Sequence, residues 1–242
     1  AALTGSSAAS GRRRYGFQGL VDHYAHDDAV RVLLANVAQA AARQDREITP
    51  LMALFDGHHV RVSVMVRTSK TGASAVQDRI GWRIREHDVP YRFVRHPTPE
   101  QTERGSGPMW TGPLWDASIA GRMTEQCALD RTRPAPEALD GWRKEGLQWT
   151  AEDEEHAARE TVRGVRHISE AADLMAQDGQ ATLLLNLDDL PRWTGTGRTP
   201  RLHHLLEALH EAGHAAARAP DLNPFLVTDA PFEDVIQIAQ GL

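Results

Sequence analysis

The sequence predicts an α/β chain: a helix and an antiparallel hairpin first, then an α+β region ending in a helical unit with a two-stranded wing. Three observations carry this. Residues 26–45 place Val30, Leu33, Leu34, Val37, Ala38 and Ala41 three and four apart, the spacing of one helical face. Residues 60–67 alternate Val60, Val62, Val64 and Val66 with Arg61, Ser63, Met65 and Arg67, the period of a strand with one buried face. The last ninety residues hold two further helical patterns separated by Thr194-Gly195-Thr196-Gly197, then two short apolar runs.

In chain order, residues 5–14 read as a loop of small residues leading into Arg12-Arg13-Arg14. Asp27 and Asp28 suit the first turn of the helix, where negative charge is favoured. Ile48 to Phe55 is an apolar strand, and Asp56-Gly57 is a hairpin turn signal. A helix is expected over 73–86 and a strand over 91–95. Residues 97–118 are rich in Pro and Gly, and 130–150 read as a polar connector. A long helix follows over 152–177, ended by Gly179. A short helix spans 187–193. Thr199-Pro200 opens another, to about Ala212, with Thr as N-cap and Pro at the first position. Strands over 214–218 and 225–228 flank a turn at 221–224, and a helix closes the chain over 231–240. Helix, helix, turn, helix and wing is the winged-helix order. The expected units are 1–67, 68–150 and 151–242.

Composition narrows the classes. The 242 residues are 41% hydrophobic and 25% charged, ordinary globular values. No apolar run approaches the roughly 18–20 residues of a membrane span. Cys127 is the one cysteine, which excludes a disulfide framework or cysteine zinc cluster and fits a reducing, cytoplasmic setting. The net charge of -6 gives no global field for nucleic acid. Of 27 basic residues only Lys70 and Lys144 are lysines. The chain opens Ala1-Ala2-Leu3-Thr4, without a secretory signal, as if cut from something longer.

The helix-plus-hairpin order at 26–67 is how a class I methyltransferase sheet ends, and such a unit cannot cover both of its own faces. Leu33, Val37, Leu51, Leu54, Val62 and Val64 are therefore expected to present apolar surface to elements beyond this segment. Specific strings extend the likeness. They are Arg14-Tyr15-Gly16, Ala42-Arg43 through Ile48-Thr49-Pro50-Leu51, His58-His59-Val60-Arg61-Val62, and Gly107-Pro108-Met109-Trp110-Thr111-Gly112-Pro113-Leu114-Trp115-Asp116. Ala208 to His214 and Thr228-Asp229-Ala230-Pro231 complete the set. In this order they resemble the tRNA (guanine-26 N2)-dimethyltransferase family, from just after the fifth strand of its catalytic domain to its C-terminus.

The resemblance implies methyl transfer from S-adenosylmethionine to the exocyclic amine of a guanine in tRNA. The family's glycine-rich cofactor loop and Asp-Pro-Phe-Gly element have no counterpart here, so no catalytic or cofactor-binding residue is assigned. The cofactor is expected to be bound by an N-terminal part, and this part to dock tRNA while being inactive alone. Some family members carry paired cysteines before the Gly-Pro-Leu-Trp element; Tyr91 to Pro97 has none, and no metal is expected.

The RNA-binding candidates are Arg12, Arg13, Arg14, Arg61, Arg67, Arg198 and Arg201, since guanidinium forks neutralise phosphates. Trp110 and Trp115 sit in a rigid Gly/Pro frame and suit either base stacking or an interface core. His210-Glu211-Ala212-Gly213-His214 matches the H-E-x-x-H zinc string, but Gly213 reads better as a helix cap. His203 and His204 could be metal ligands but read better as solvated or interfacial, and His23-x-x-His26 beside Asp22, Asp27 and Asp28 could bind a divalent ion but reads better as structural or capping. Gly195-Thr196-Gly197 follows no strand and lacks a third glycine, so it is no phosphate loop. Two rival readings remain: a winged-helix DNA-binding regulator using 199–212, and a zinc hydrolase.

Overall fold

A computed structural model describes residues 2–220 and 222–242. Helices α1 (Ala8–Tyr15) and α2 (Ala25–Ala42) precede the hairpin β1 (Arg46–Phe55) and β2 (Val60–Thr68). Helix α3 (Lys70–Ala75) and a 3₁₀ turn lead into β3 (Ile80–Ile84), β4 (Arg92–Val94), α4 (Pro99–Glu103) and β5 (Gly105–Trp110). Three short helices follow, α5 (Ala117–Ala120), α6 (Glu125–Leu129) and α7 (Pro136–Lys144), and then the long α8 (Ala151–Met175). The chain ends in β6 (Leu183–Asn186), α9 (Leu190–Thr194), α10 (Leu202–Glu211), β7 (Ala216–Arg218), β8 (Phe225–Thr228) and α11 (Phe232–Gln240).

Three antiparallel sheets result, ordered β1-β2, β4-β3-β5 and β6-β8-β7. In the hairpin, Arg46 faces Thr68 and Phe55 faces Val60, with a register shift between Pro50 and Met52. Leu33, Val37, Leu51, Leu54, Val62 and Val64 are half-buried rather than bare. Four of them, Val37, Leu54, Val62 and Val64, pack on the main core; the clearest exposed apolar side chain of β2 is Val66, at 45%.

That core draws Leu34 from α2, Met52 from β1, Trp110 and Trp115 from the Gly/Pro stretch, Ala171 from α8 and Val227 from β8. A second core gathers Leu185, Leu190, Leu205, Leu209, Leu226 and Val235 beneath the C-terminal sheet. Residues 107–116 join the hairpin to α8. The Leu114 and Trp115 amides donate to the Met175 carbonyl at 3.0 and 3.1 Å, and Asp116 N–H donates to Leu51 O at 3.1 Å. Gly179 N–H closes the loop onto Thr111 O at 2.9 Å.

Several elements differ from the sequence reading. Residues 8–15 are helical, so Arg12 to Arg14 fill the last turn of α1 rather than a loop. The helix expected over 73–86 stops at residue 79. Val76, Ile80 and Ile84 mimic a helical stripe, but Ile80, Gly81, Arg83 and Ile84 are all buried in β3, between β4 and β5, which hides the period of two. Strand β5 is written in turn vocabulary; as an edge strand it tolerates Pro108. A Cβ on Gly107 would stand 2.5 Å from the Trp82 ring. The supposed connector contains α6 and α7, and β6 had no expectation at all. Helix α10 starts at Leu202 with Arg201 as an N-cap that makes no side-chain bond, because the chain leaves α9 through Gly195 and Gly197, both at positive φ. Helix α8 ends at Met175 with Ala176 as C-cap, three residues before Gly179. The expected turn at 221–224 begins outside the described residues.

Candidate nucleic-acid interface

The seven candidate arginines lie on three different elements. Arg12, Arg13 and Arg14 are exposed on α1. Helix α1 is anchored through Asn36 Nδ2, which donates to Tyr15 O at 3.4 Å, and through Phe17, packed with Val32 and Met109. Gly16 closes it at φ 60°, its amide returning to Arg12 O and Gly11 O. The three guanidiniums make no hydrogen bond or ion pair among the described residues, and the cation row stands at a helix C-terminus, where positive charge is favoured.

Arg61 and Arg67 lie on the exposed side of β2. Arg61 is engaged: its Nε donates to Asp56 Oδ2 at 2.7 Å. That bond, together with the His59 and His58 amides, holds the Asp56 carboxyl well below the usual carboxylate range. Among the described residues Arg67 reaches only Met65 Sδ, at 3.4 Å. Arg198 and Arg201 are exposed in the segment leading into α10.

The aromatic and histidine candidates have structural duties. Trp110 and Trp115 are each 3% exposed. Their indole N–H groups donate to Pro113 O and Ala53 O, both at 2.8 Å, so they are core rather than base-stacking platforms. Gly213, at φ 89°, turns the chain after α10. His214 therefore lies outside the helix, 3.3 Å from Asp234, while His210 Nε2 meets Ala216 O at 2.7 Å. His23 pairs with Asp189 at 3.2 Å, and His26 stacks on Phe55 at 4.1 Å. Among the described residues, no three His, Cys, Asp or Glu side chains converge as metal ligands.

Sequence reasoning missed a buried ion network. Arg83, 1% exposed, donates from Nε and Nη2 to the two oxygens of Asp28, both at 2.7 Å, and reaches Asp22 at 3.0 Å. Burial alone would lower the guanidinium; Asp28 and Asp22 outweigh it and raise Arg83 above its ordinary value. Arg31 pairs with Asp27 at 2.7 Å. Asp27 and Asp28 do occupy the first turn of α2, yet their side chains point inward to these arginines. Beside them, Leu184 N–H donates to Tyr91 Oη at 3.0 Å and Asn186 N–H to Tyr24 Oη at 3.5 Å. Burial pushes the Tyr91 hydroxyl up to about 12 and raises Tyr24 as well. Two neutral tyrosines thus satisfy the free edge of β6.

A profile of the family described as N2,N2-dimethylguanosine tRNA methyltransferase matches residues 1–141. A tRNA (guanine(26)-N(2))-dimethyltransferase from Methanopyrus kandleri is 29% identical over 221 residues, 90% of this chain and 50% of that protein. One from Thermoplasma volcanium is 24% identical over 99% of this chain and 55% of its own length. One from Pyrobaculum aerophilum is 35% identical over 47% of this chain and 30% of its own. The structure of Trm1 from Pyrococcus horikoshii in complex with S-adenosyl-L-methionine superposes with a TM-score of 0.72 at 19% identity, covering 98% of this chain and 55% of that one.

By fold, then, the chain is an α/β protein of the kind seen in that methyltransferase structure. It belongs to the N2,N2-dimethylguanosine tRNA methyltransferase family. It spans about half the length of the relatives that match along most of it.

The residues present do not fit the methyl donor. Doubly wound folds bind nucleotide-like cofactors at the carboxyl ends of parallel strands. Every strand pair among the described residues is antiparallel. Among the described residues no glycine-rich turn joins a strand to a helix, and no step is assigned to that group.

Proposed function

We propose that this chain is the tRNA-docking part of an S-adenosylmethionine-dependent enzyme that dimethylates N2 of guanine 26 in tRNA. The observation that carries the docking role is the row Arg12-Arg13-Arg14: three adjacent, exposed guanidiniums, unpaired among the described residues, on a helix anchored to the core. Arg67, Arg198 and Arg201 are further contacts, and Arg61 joins them by exchanging Asp56 for phosphate. The division into 1–67, 68–150 and 151–242 is retained, with the last unit read as winged-helix-like. Its element order of helix, strand, two helices and two strands, and its sheet order β6-β8-β7, support that reading. The setting is cytoplasmic, where tRNA is modified.

With a net charge of -6, affinity rests on local patches rather than on the whole field. Replacing Arg12, Arg13 and Arg14 together by Gln should weaken binding of an unmodified tRNA transcript. The slope of log affinity against log salt should flatten by roughly 2 to 3, at about 0.7–0.9 per lost phosphate contact. Stability should change by no more than about 0.5 kcal/mol. An unchanged slope defeats the assignment, and a larger loss from Arg198→Gln with Arg201→Gln on duplex DNA would favour a DNA-binding winged helix.

A further inference from the structure

A groove of about 410 Å3 runs between the outer face of α8 and the strand and loop that follow α10, lined by Glu160, Arg163, Gly164, His167, Arg218 and Asn223. Its volume lies within the span of ligand sites, roughly 300–1,000 Å3. On α8 the lining residues recur at 160, 163, 164 and 167, one stripe of the helix. Arg218 faces that stripe from β7. Its one hydrogen bond is to a neutral amide, Nη1 to Asn223 Oδ1 at 3.3 Å, so it has no carboxylate partner among the described residues. Arg163 is paired with Glu160.

The floor of the groove is the unusual part. Gly164 lies in the middle of a 25-residue helix, where glycine weakens the helix relative to alanine. A Cβ built there meets nothing within 4 Å, so no neighbour among the described residues requires its absence. Gly141 in α7 is equally unconstrained, so a helical glycine alone means little. At Gly164 the open backbone coincides with a guanidinium wall. No packing reason for the glycine is found among the described residues, and the bare backbone leaves room for close approach of something from outside.

We infer that this groove seats a phosphate of an RNA backbone, held by the Arg218 guanidinium and the His167 imidazole, with Arg163 exchanging Glu160 for the phosphate and the Gly164 backbone as its floor. Guanidinium forks match phosphate oxygens, and a side-chain-free floor lets a linked sugar pass. The inference rests on the tRNA-docking reading. It adds a second contact on an element far along the sequence from α1. The lining carries two guanidiniums, Arg163 and Arg218, against one carboxylate, Glu160. His167 is held below its ordinary value by partial burial and by the cations Arg218, Arg163 and Arg166, against Glu170, which pulls the other way. Incoming phosphate relieves that crowding.

The test uses the 242-residue chain with a fluorescent, unmodified tRNA transcript, and separately with inorganic pyrophosphate. Gly164→Ala changes no charge. It should raise Tm by about 2–4 °C, as a helix-stabilising change does in a protein of this size, yet weaken transcript binding at least threefold. Arg218→Gln should weaken it three- to tenfold and lower the salt slope by about 0.7–0.9. Gly164→Ala binding the transcript as tightly as the parent overturns the groove, whatever the Arg12–Arg14 variant does. A parent chain that binds no transcript overturns the docking reading and this inference together. A pyrophosphate-induced Tm rise lost in Arg218→Gln, with transcript affinity unchanged, would assign the site to free phosphate and overturn the RNA contact. Displacement of the transcript by poly-glutamate as readily as by unlabelled tRNA would reduce it to non-specific anion binding and overturn it too.

Discussion

Arg83 shows how much one side chain carries. It is fully enclosed, bound bidentately to Asp28 and shared with Asp22, which also accepts from the exposed Arg85 at 2.9 Å. Its guanidinium lies 5.0 Å from the Tyr24 ring and 5.9 Å from that of Tyr91. Removing one partner of a buried pair strands the other charge, at a cost of about 3–5 kcal/mol. Arg83→Met should destabilise the chain by that amount in urea unfolding, and adding Asp28→Asn should recover part of it. If Arg83→Met unfolds at the parent midpoint, the network is not structural. From the sequence, Asp27 and Asp28 looked like helix-start charges because spacing gives position along a helix and not the partner across a sheet. Arg83 was invisible for the same reason: its carboxylates lie 55 and 61 residues away. By contrast, the burial of Trp110 and Trp115 was legible as one of two readings, since a Gly/Pro frame holds rings still whether they stack on bases or on a core.

Elements were legible where one periodicity dominated. Helix α2, the β1–β2 hairpin and α8 lie within a few residues of their expected ends, because each buries one face and exposes the other. The failures were elements with both faces covered, such as β3, or elements built from turn-forming residues, such as β5. Helix α1 is a third kind: Gly11 and three arginines give it little apolar signal, and its place is fixed by docking on α2. Helix α8 also carries a local device that can be tested. Thr150 and Asp153 form a reciprocal capping box, with Asp153 N–H donating to Thr150 Oγ1 at 3.2 Å and Thr150 N–H to Asp153 Oδ2 at 2.8 Å. The Thr150 side chain is the main reason that the Asp153 carboxyl is held below its ordinary value. A lowered carboxyl stabilises the fold above its unfolded pKa, near 3.9, and that contribution fades as pH falls through the folded value. Thr150→Ala should cost about 1 kcal/mol at pH 7. In thermal melts its deficit against the parent should shrink between pH 4 and pH 2; a deficit constant across that range would mean that Asp153 takes no part in it.

At the scale of the whole molecule, strands β6 and β8 join the two cores, with Leu184 and Val227 in one and Leu185 and Leu226 in the other, while residues 107–116 bond at once to β1 and to the end of α8. This arrangement positions the arginines of α1 and the groove beside α8 on one folded body, and it explains why the Gly/Pro/Trp string reads so distinctly: it is the joint. The family strings were legible because they mark such joints and turns, whereas the groove at Gly164 was not, since it needs α8 and β7 brought together from residues more than fifty apart in sequence. The same architecture bounds what the chain can do alone. In open α/β sheets a nucleotide-like ligand sits in the crevice at the carboxyl ends of parallel strands, and the described strands pair only antiparallel. The 242-residue chain should therefore bind tRNA without modifying it. Incubated with radiolabelled S-adenosylmethionine and unmodified tRNA transcript, it should transfer no label above a protein-free control, while retarding the same transcript in a gel. Label appearing in the RNA would mean that these antiparallel units hold the donor after all, and the docking role would then have to be reassigned to catalysis.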